Sequence, residues 1–239
     1  MINFKITKLQ KFLICTFLLL IVGAYYKSYK DKHIKSDIIY MDTSLEKGTK
    51  NEQLNYVFSD FSEDLVEGSA DAKINIIEYY SYKCKYCRQF NINVMPLIRK
   101  NFIDTGIVKF VHRAIYDKQT ILLGGMLNCV NDYRLKMRVN EDFFLVSKET
   151  LDDIDNYVEH FVNDYNVQNK DEFKKCYNSE RVLNKLVYNQ NKHVNLLDLN
   201  RGVPLFVINN KIYRGYMDYN KIEKILNEIN LGNQNATKN

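Results

Sequence analysis

The chain has 239 residues, 46% of them hydrophobic, with only 9 Gly and 2 Pro against 18 Tyr and 13 Phe. That is enough apolar chain for one sizeable folded domain, and it excludes a collagen-like or Pro-rich disordered protein. The formal net charge of +5 falls to +2 without Lys5, Lys8 and Lys11; the other basic residues are interspersed with Asp and Glu, so no nucleic-acid partner is expected.

Those three lysines precede an apolar run from Phe12 to Ala24, with Val22 and Ala24 placed as a small-residue cleavage pattern places them. The pattern predicts a secretory signal peptide over 1–24. Extending the run with Leu9, Tyr25 and Tyr26 approaches the roughly 20 apolar residues of a membrane anchor, and that alternative stays open. Cys15 is a poor lipoprotein site, because Ile14 precedes it. Either reading puts the remainder outside the cytosol, in a periplasmic location, soluble or tethered. Residues 25–55 are polar and Lys-rich and read as a spacer.

A folded domain is expected over 56–232. Gly68 to Ala72 makes a turn, and Lys73 to Tyr80 is a β-branched and aromatic run of strand length. From Cys84 the period changes: Cys87, Phe90, Val94, Leu97 and Ile98 recur at helical spacing, with both cysteines in the first turn and Pro96 expected to kink the helix. Ile107 to His112 reads as a second strand, which completes a βαβ unit. Between about 119 and 195 nearly everything reads as helix: 121–138, 151–165, 170–177 and 179–195. Leu205 to Ile208 and Lys211 to Arg214 then form two short strands about Asn209-Asn210, a pair that tolerates the positive φ of a tight turn. A final amphipathic helix carries Tyr219, Ile222, Ile225, Leu226 and Ile229, and residues 233–239 form a polar tail.

Cys84-Lys85-Tyr86-Cys87 carries the chemistry. Two thiols three apart at a helix start can close a small disulfide ring, and unpaired N–H groups there favour a thiolate on the first of them. Cys84 is therefore the expected nucleophile, helped by positive charge on Lys83 and Lys85, and Cys87 the more buried, resolving thiol. A thiolate that leaves easily makes the oxidised pair prone to donate its disulfide. The same spacing is half of a zinc site. Against that, Cys129 and Cys176 lack closely spaced partners, and His112 and His193 read as isolated surface or half-buried residues. No metal and no cofactor are expected.

The stretch from Glu78 to Cys87, an acid followed by aromatics and a small residue leading into the cysteine pair, resembles the DsbA-like branch of the thioredoxin superfamily. Gly202-Val203-Pro204-Leu205-Phe206-Val207-Ile208-Asn209 is similar to that family's loop before a strand. With the helical insertion between the two, the resemblance covers roughly 66–230. It implies an α/β thioredoxin-like fold, a central mixed sheet flanked by helices with an inserted helical subdomain, and protein-disulfide oxidoreductase activity. It also implies a cis Pro204 that, with Val203, presents backbone to an extended substrate, and a buried Glu78 that helps Cys87 gain or lose its proton.

Lys85-Tyr86 departs from the Pro-His found in many strongly oxidising members, and Tyr86 resembles isomerase relatives. An oxidase is favoured over an isomerase or reductase because the spacer hardly supplies a dimerisation segment, and over a non-enzymatic scaffold because Cys84, Cys87, Pro204 and Glu78 all stand at the family's relative positions. Expected partners are reduced or unfolded exported proteins as substrates and a membrane thiol oxidase as reoxidant, with the enzyme a monomer. Cys129 and Cys176 fall on different helices of the insertion, where several members of the family have a second disulfide. A structural disulfide between them is favoured over two buried free thiols.

Overall fold

The computed structural model describes residues 64–236 together with Gly23, Tyr56, Val57, Ser59 and Phe61. The signal or anchor expected over 1–24, Gly23 apart, and the spacer expected over 25–55 lie outside the described residues. Among the described residues no helix is long and apolar enough to cross a membrane.

A five-stranded mixed sheet forms the centre, in the order β1-β3-β2-β4-β5. The strands are β1 (Leu65–Glu67), β2 (Ile74–Tyr80), β3 (Val108–Ala114), β4 (Leu205–Ile208) and β5 (Lys211–Arg214). Only β2 and β3 pair in parallel; the other three pairings are antiparallel. Six of the seven residues of β2 are buried, as expected of a central strand covered on both faces. β3 runs two residues beyond the expected His112, because Arg113 and Ala114 continue the ladder opposite Tyr79 and Tyr80. At the β4–β5 turn Asn209 and Asn210 take φ of 40° and 70°, the left-handed region that asparagine tolerates better than most residues.

Between β2 and β3 the helix is broken where the sequence suggests only a kink. α1 (Lys85–Asn93) ends at Val94, and α2 (Met95–Ile98) begins with Pro96 in its first turn, where a missing N–H costs nothing. A π-helical turn, Arg99–Ile103, then leads to β3. Phe90, Val94, Ile98 and Phe102 from this crossover pack on Ile74, Ile76 and Phe110 of the sheet, together with Ile222 and Leu226 of α9 (Tyr219–Ala236). That last helix reaches into the segment 233–239 expected to be a tail.

The insertion contains α3 (Ile121–Cys129), α4 (Tyr133–Phe143), α5 (Lys148–Asp152), α6 (Ile154–Asp164), α7 (Lys170–Tyr177) and α8 (Glu180–Leu197). The single helix expected over 121–138 is interrupted because Val130 is extended and Asp132 caps α4, accepting from the Leu135 N–H at 2.7 Å. Ser147 and Asp153 cap α5 and α6 in the same way, so a continuous apolar period conceals two starts.

Gly125 lets α3 approach α7: a Cβ there would lie 2.2 Å from the Tyr177 carbonyl oxygen. Next to this contact Cys129 and Cys176 are disulfide-bonded, with Cα atoms 6.0 Å apart and a sequence separation of 47. Closing a loop of that length removes denatured-state entropy worth about 4 kcal/mol. Replacing both cysteines by alanine should lower unfolding stability by about 2–4 kcal/mol; an unchanged denaturant midpoint would mean that the bond does not stabilise the insertion.

Candidate functional site

Cys84 is the N-cap residue of α1. Its extended backbone (φ −80°, ψ 115°) turns the side chain back over the first helical turn, where Sγ accepts from the Cys87 N–H at 3.4 Å. The Cys84 N–H is itself held by the Ser81 carbonyl at 3.0 Å. Both cysteines are free thiols, Cys84 half-buried and Cys87 fully buried. A hydrogen bond from the Cys87 thiol, with backbone N–H groups of Cys87 and Tyr86 adding to it, outweighs partial burial and the Glu78 charge and holds the Cys84 thiol at a pKa of about 6. Burial pushes the Cys87 thiol far up instead, and its hydrogen bond to Cys84 acts in the same direction.

Two tyrosines of the run before the cysteines seal that side of the pair. Tyr80 and Tyr82 both donate to Asn140 Oδ1 of α4 at 2.7 Å, and Tyr82 lies edge-on to Phe143 and Phe144. Cys87 belongs to the same buried cluster. The insertion thus builds the wall that desolvates the second sulfur.

Glu78 is completely buried on the face of β2 that α1 covers. Asn91, one turn after Cys87, donates to Glu78 Oε1 at 3.1 Å and to the Cys87 carbonyl at 3.1 Å, tying strand to helix. Burial raises the Glu78 pKa, and the neighbouring His112 and the Asn91 bond oppose that rise without cancelling it. The Glu78 charge in turn raises both thiol pKa values.

Val203 and Pro204 face the pair from the other side. Their peptide bond is cis, and the Val203 carbonyl accepts from Cys84 Sγ at 3.2 Å. Pro204 has no N–H to offer, so the loop presents the Val203 backbone beside the exposed sulfur. Tyr86 is exposed and lies 6.2 Å from the Tyr216 ring, on the open rim.

Three expectations are corrected. Lys83 does not lend free charge to Cys84, because its Nζ is taken by Asp117 at 2.8 Å and Gln119 at 2.6 Å. His112 is neither isolated nor at the surface: strand register sets it beside Glu78, with Nε2 2.8 Å from Glu67 Oε1. His193 is buried on the opposite face of the sheet, where Nδ1 lies 2.9 Å from the Tyr79 hydroxyl. Burial and the charges of Arg113 and Lys192 push its pKa down to about 3, so it is neutral.

Asn91, Asn140, His112 and Glu67 are site residues that the sequence reading misses. Asn91 was within reach, since it follows Cys87 by one helical turn and so lies on the same face. Glu67 had no signal, because β1 is three residues long. Among the described residues no three His, Cys, Asp or Glu side chains are grouped to hold a metal ion.

The profile of the family described as Thioredoxin matches residues 45–228. A putative protein-disulfide oxidoreductase of Rickettsia bellii (strain RML369-C) is 24% identical over 150 residues, 61% of this chain and 57% of that protein. Disulfide bond formation protein D of Bacillus subtilis (strain 168) is 47% identical over 45 residues, 19% of this chain and 20% of that one. The chain thus spans little more than half the length of the first relative and a fifth of the second. Wolbachia pipientis alpha-DsbA1 has the same fold: its crystal structure superposes with a TM-score of 0.66 at 22% identity, over 75% of this chain and 95% of that one. With a family match across most of its length and the fold of a DsbA protein, this chain belongs to the thioredoxin family.

Proposed function

We propose that the chain is an exported protein-disulfide oxidoreductase that donates the Cys84–Cys87 disulfide to reduced or unfolded exported proteins, acting as a monomer. The observation that carries this reading is the asymmetry of the two sulfurs. Cys84 sits among N–H donors with a thiol pKa of about 6, and Cys87 is sealed away with its pKa raised. A low-pKa thiolate is a stable leaving group, so the reduced form is favoured and the disulfide oxidises others readily. The names of the relatives support the same chemistry.

The exchange runs in two steps. A substrate thiolate attacks Cys84 Sγ, the Cys84–Cys87 bond breaks, and Cys87 leaves and takes a proton from Glu78. The extended substrate lies along the Val203–Pro204 loop, whose carbonyl has no Cys84 S–H to accept from in the disulfide state. A second substrate thiolate then attacks its own sulfur in the mixed disulfide. Cys84 leaves as the thiolate, and the substrate has lost two electrons to the enzyme. A membrane thiol oxidase restores the enzyme disulfide, and Cys87 then gives up its proton through Glu78.

Two measurements test this reading. The oxidised protein should restore activity to a reduced, unfolded disulfide-dependent test enzyme. Cys84→Ser and Cys87→Ser should each abolish the transfer, because neither variant can hold the disulfide that is donated; no transfer by the wild-type protein would refute the proposal. The second test concerns pH. Alkylation of Cys84 in the reduced protein should rise with a midpoint near pH 6, well below the ~8.5 of a free thiol, with Cys87 unmodified. Because the folded pKa is depressed, the Cys84 thiolate stabilises the folded reduced chain above its unfolded pKa. That contribution should fade as pH falls from ~8.5 through about 6, where the sulfur becomes protonated in the folded chain as well.

A further inference from the structure

His112 is not used by the two exchange steps, yet it is set between two carboxyl groups. Glu78 on β2 and Glu67 on β1 flank it, with Nδ1 3.7 Å from Glu78 Oε2 and Nε2 2.8 Å from Glu67 Oε1. Nδ1 is buried and has no hydrogen-bond partner, so that nitrogen faces a sealed carboxyl without a settled bond to it. Exposure of the side chains rises along the row, from 0% at Glu78 and 1% at His112 to 12% at Glu67 and 30% at Arg99. Glu78 has no access to water of its own, and a proton it exchanges with Cys87 needs a way out.

We propose that His112 and Glu67 form the proton outlet of the site, with Nδ1 taking the proton that Glu78 receives from Cys87 and Nε2 releasing one to water past the Glu67 carboxylate. This rests on the disulfide exchange proposed above. When the enzyme is oxidised, one proton enters the row from Cys87 Sγ and one leaves at Glu67, with no electrons moving through it. The ring is left protonated at Nδ1. When Cys87 is next released from the disulfide the path runs inward: Nε2 takes a proton from the Glu67 side and Nδ1 returns one to Glu78. Because oxidation and reduction of the enzyme alternate, the ring is reset each cycle without flipping.

The charged groups around the ring are consistent with this traffic. Glu78 faces it from β2 and Glu67 from β1. Arg99, from the π-helical turn, holds Glu67 at 2.5 Å and 3.0 Å and is itself paired at 2.7 Å with Glu141 of α4. Burial favours neutral imidazole, but the two carboxylates outweigh it, so the ring can accept a proton. Arg99 and His112 keep Glu67 ionised, with a pKa of about 2 in spite of its burial. Glu67 therefore passes protons without storing them.

The test separates the two thiols by time. Ellman's reagent added to the reduced protein reacts first with Cys84 and releases one thionitrobenzoate. Attack by Cys87 on the resulting mixed disulfide releases a second. His112→Gln, which can still donate to Glu67 but cannot relay, should slow the second phase at least about tenfold, toward the lower end of what general acid–base groups contribute. It should also flatten the pH dependence of that phase and leave the first phase at its wild-type rate. Glu67→Gln, nearer the rim, carries the same expectation and serves if His112→Gln does not fold. A second phase with wild-type rate and pH profile in a folded variant would overturn the outlet. Loss of a fast first phase in the wild-type protein would instead sink the exchange chemistry on which the outlet depends.

Discussion

The hydrogen bonds that converge on the Cys84 sulfur at the head of α1 set the terms for the rest of the site. A helix start carries unpaired N–H groups and a partial positive charge, and an N-cap side chain is the one best placed to use them. In this chain that side chain is a cysteine, whose neighbours are the Cys87 N–H and thiol. With Lys83 engaged by Asp117 and Gln119, the stabilisation comes from the backbone and from Cys87. An acidic thiol here needs no histidine between the two cysteines. Lys85-Tyr86 at those positions is therefore compatible with an oxidising site.

A stabilised thiolate at one sulfur has consequences for the other. Cys87 lies against the aromatic cluster that Tyr80, Tyr82, Phe143 and Phe144 form with the insertion. In that apolar setting its charged form is disfavoured, and a buried acid is needed to supply and remove its proton. Leaving Glu78 in such a place costs free energy unless it is hydrogen-bonded; Asn91 donates to it, and the sheet neighbour His112 lies 3.7 Å away. The insertion is thus part of the site's wall: Asn140 fixes the two tyrosines, and the tyrosines wall off Cys87.

Much of this was legible in the residues alone, for reasons that can be named. The βαβ unit, the helical insertion and the Asn209-Asn210 turn follow from local period and turn chemistry, which act over a few residues. Helix boundaries inside the insertion were not legible, because Asp132, Ser147 and Asp153 interrupt apolar patterns that run on through them. The Cys84–Cys87 pair and the Val203–Pro204 loop stand out as motifs, and the fold brings them within 3.2 Å of each other. His112 and Glu67 escaped because their meaning lies in register: a parallel pairing sets His112 beside Glu78, and a three-residue edge strand adds Glu67. A histidine at a strand end looks like a surface residue until the strands on both sides of it are known.

The central claim is that Cys84 and Cys87 form a disulfide that is readily reduced, and its most direct test is their reduction potential. Equilibrating the protein against a series of glutathione redox buffers, with Cys129 and Cys176 intact, should give a potential well above that of the glutathione pool, which marks a disulfide donor. A potential near that of thioredoxin, about −270 mV, would contradict the account.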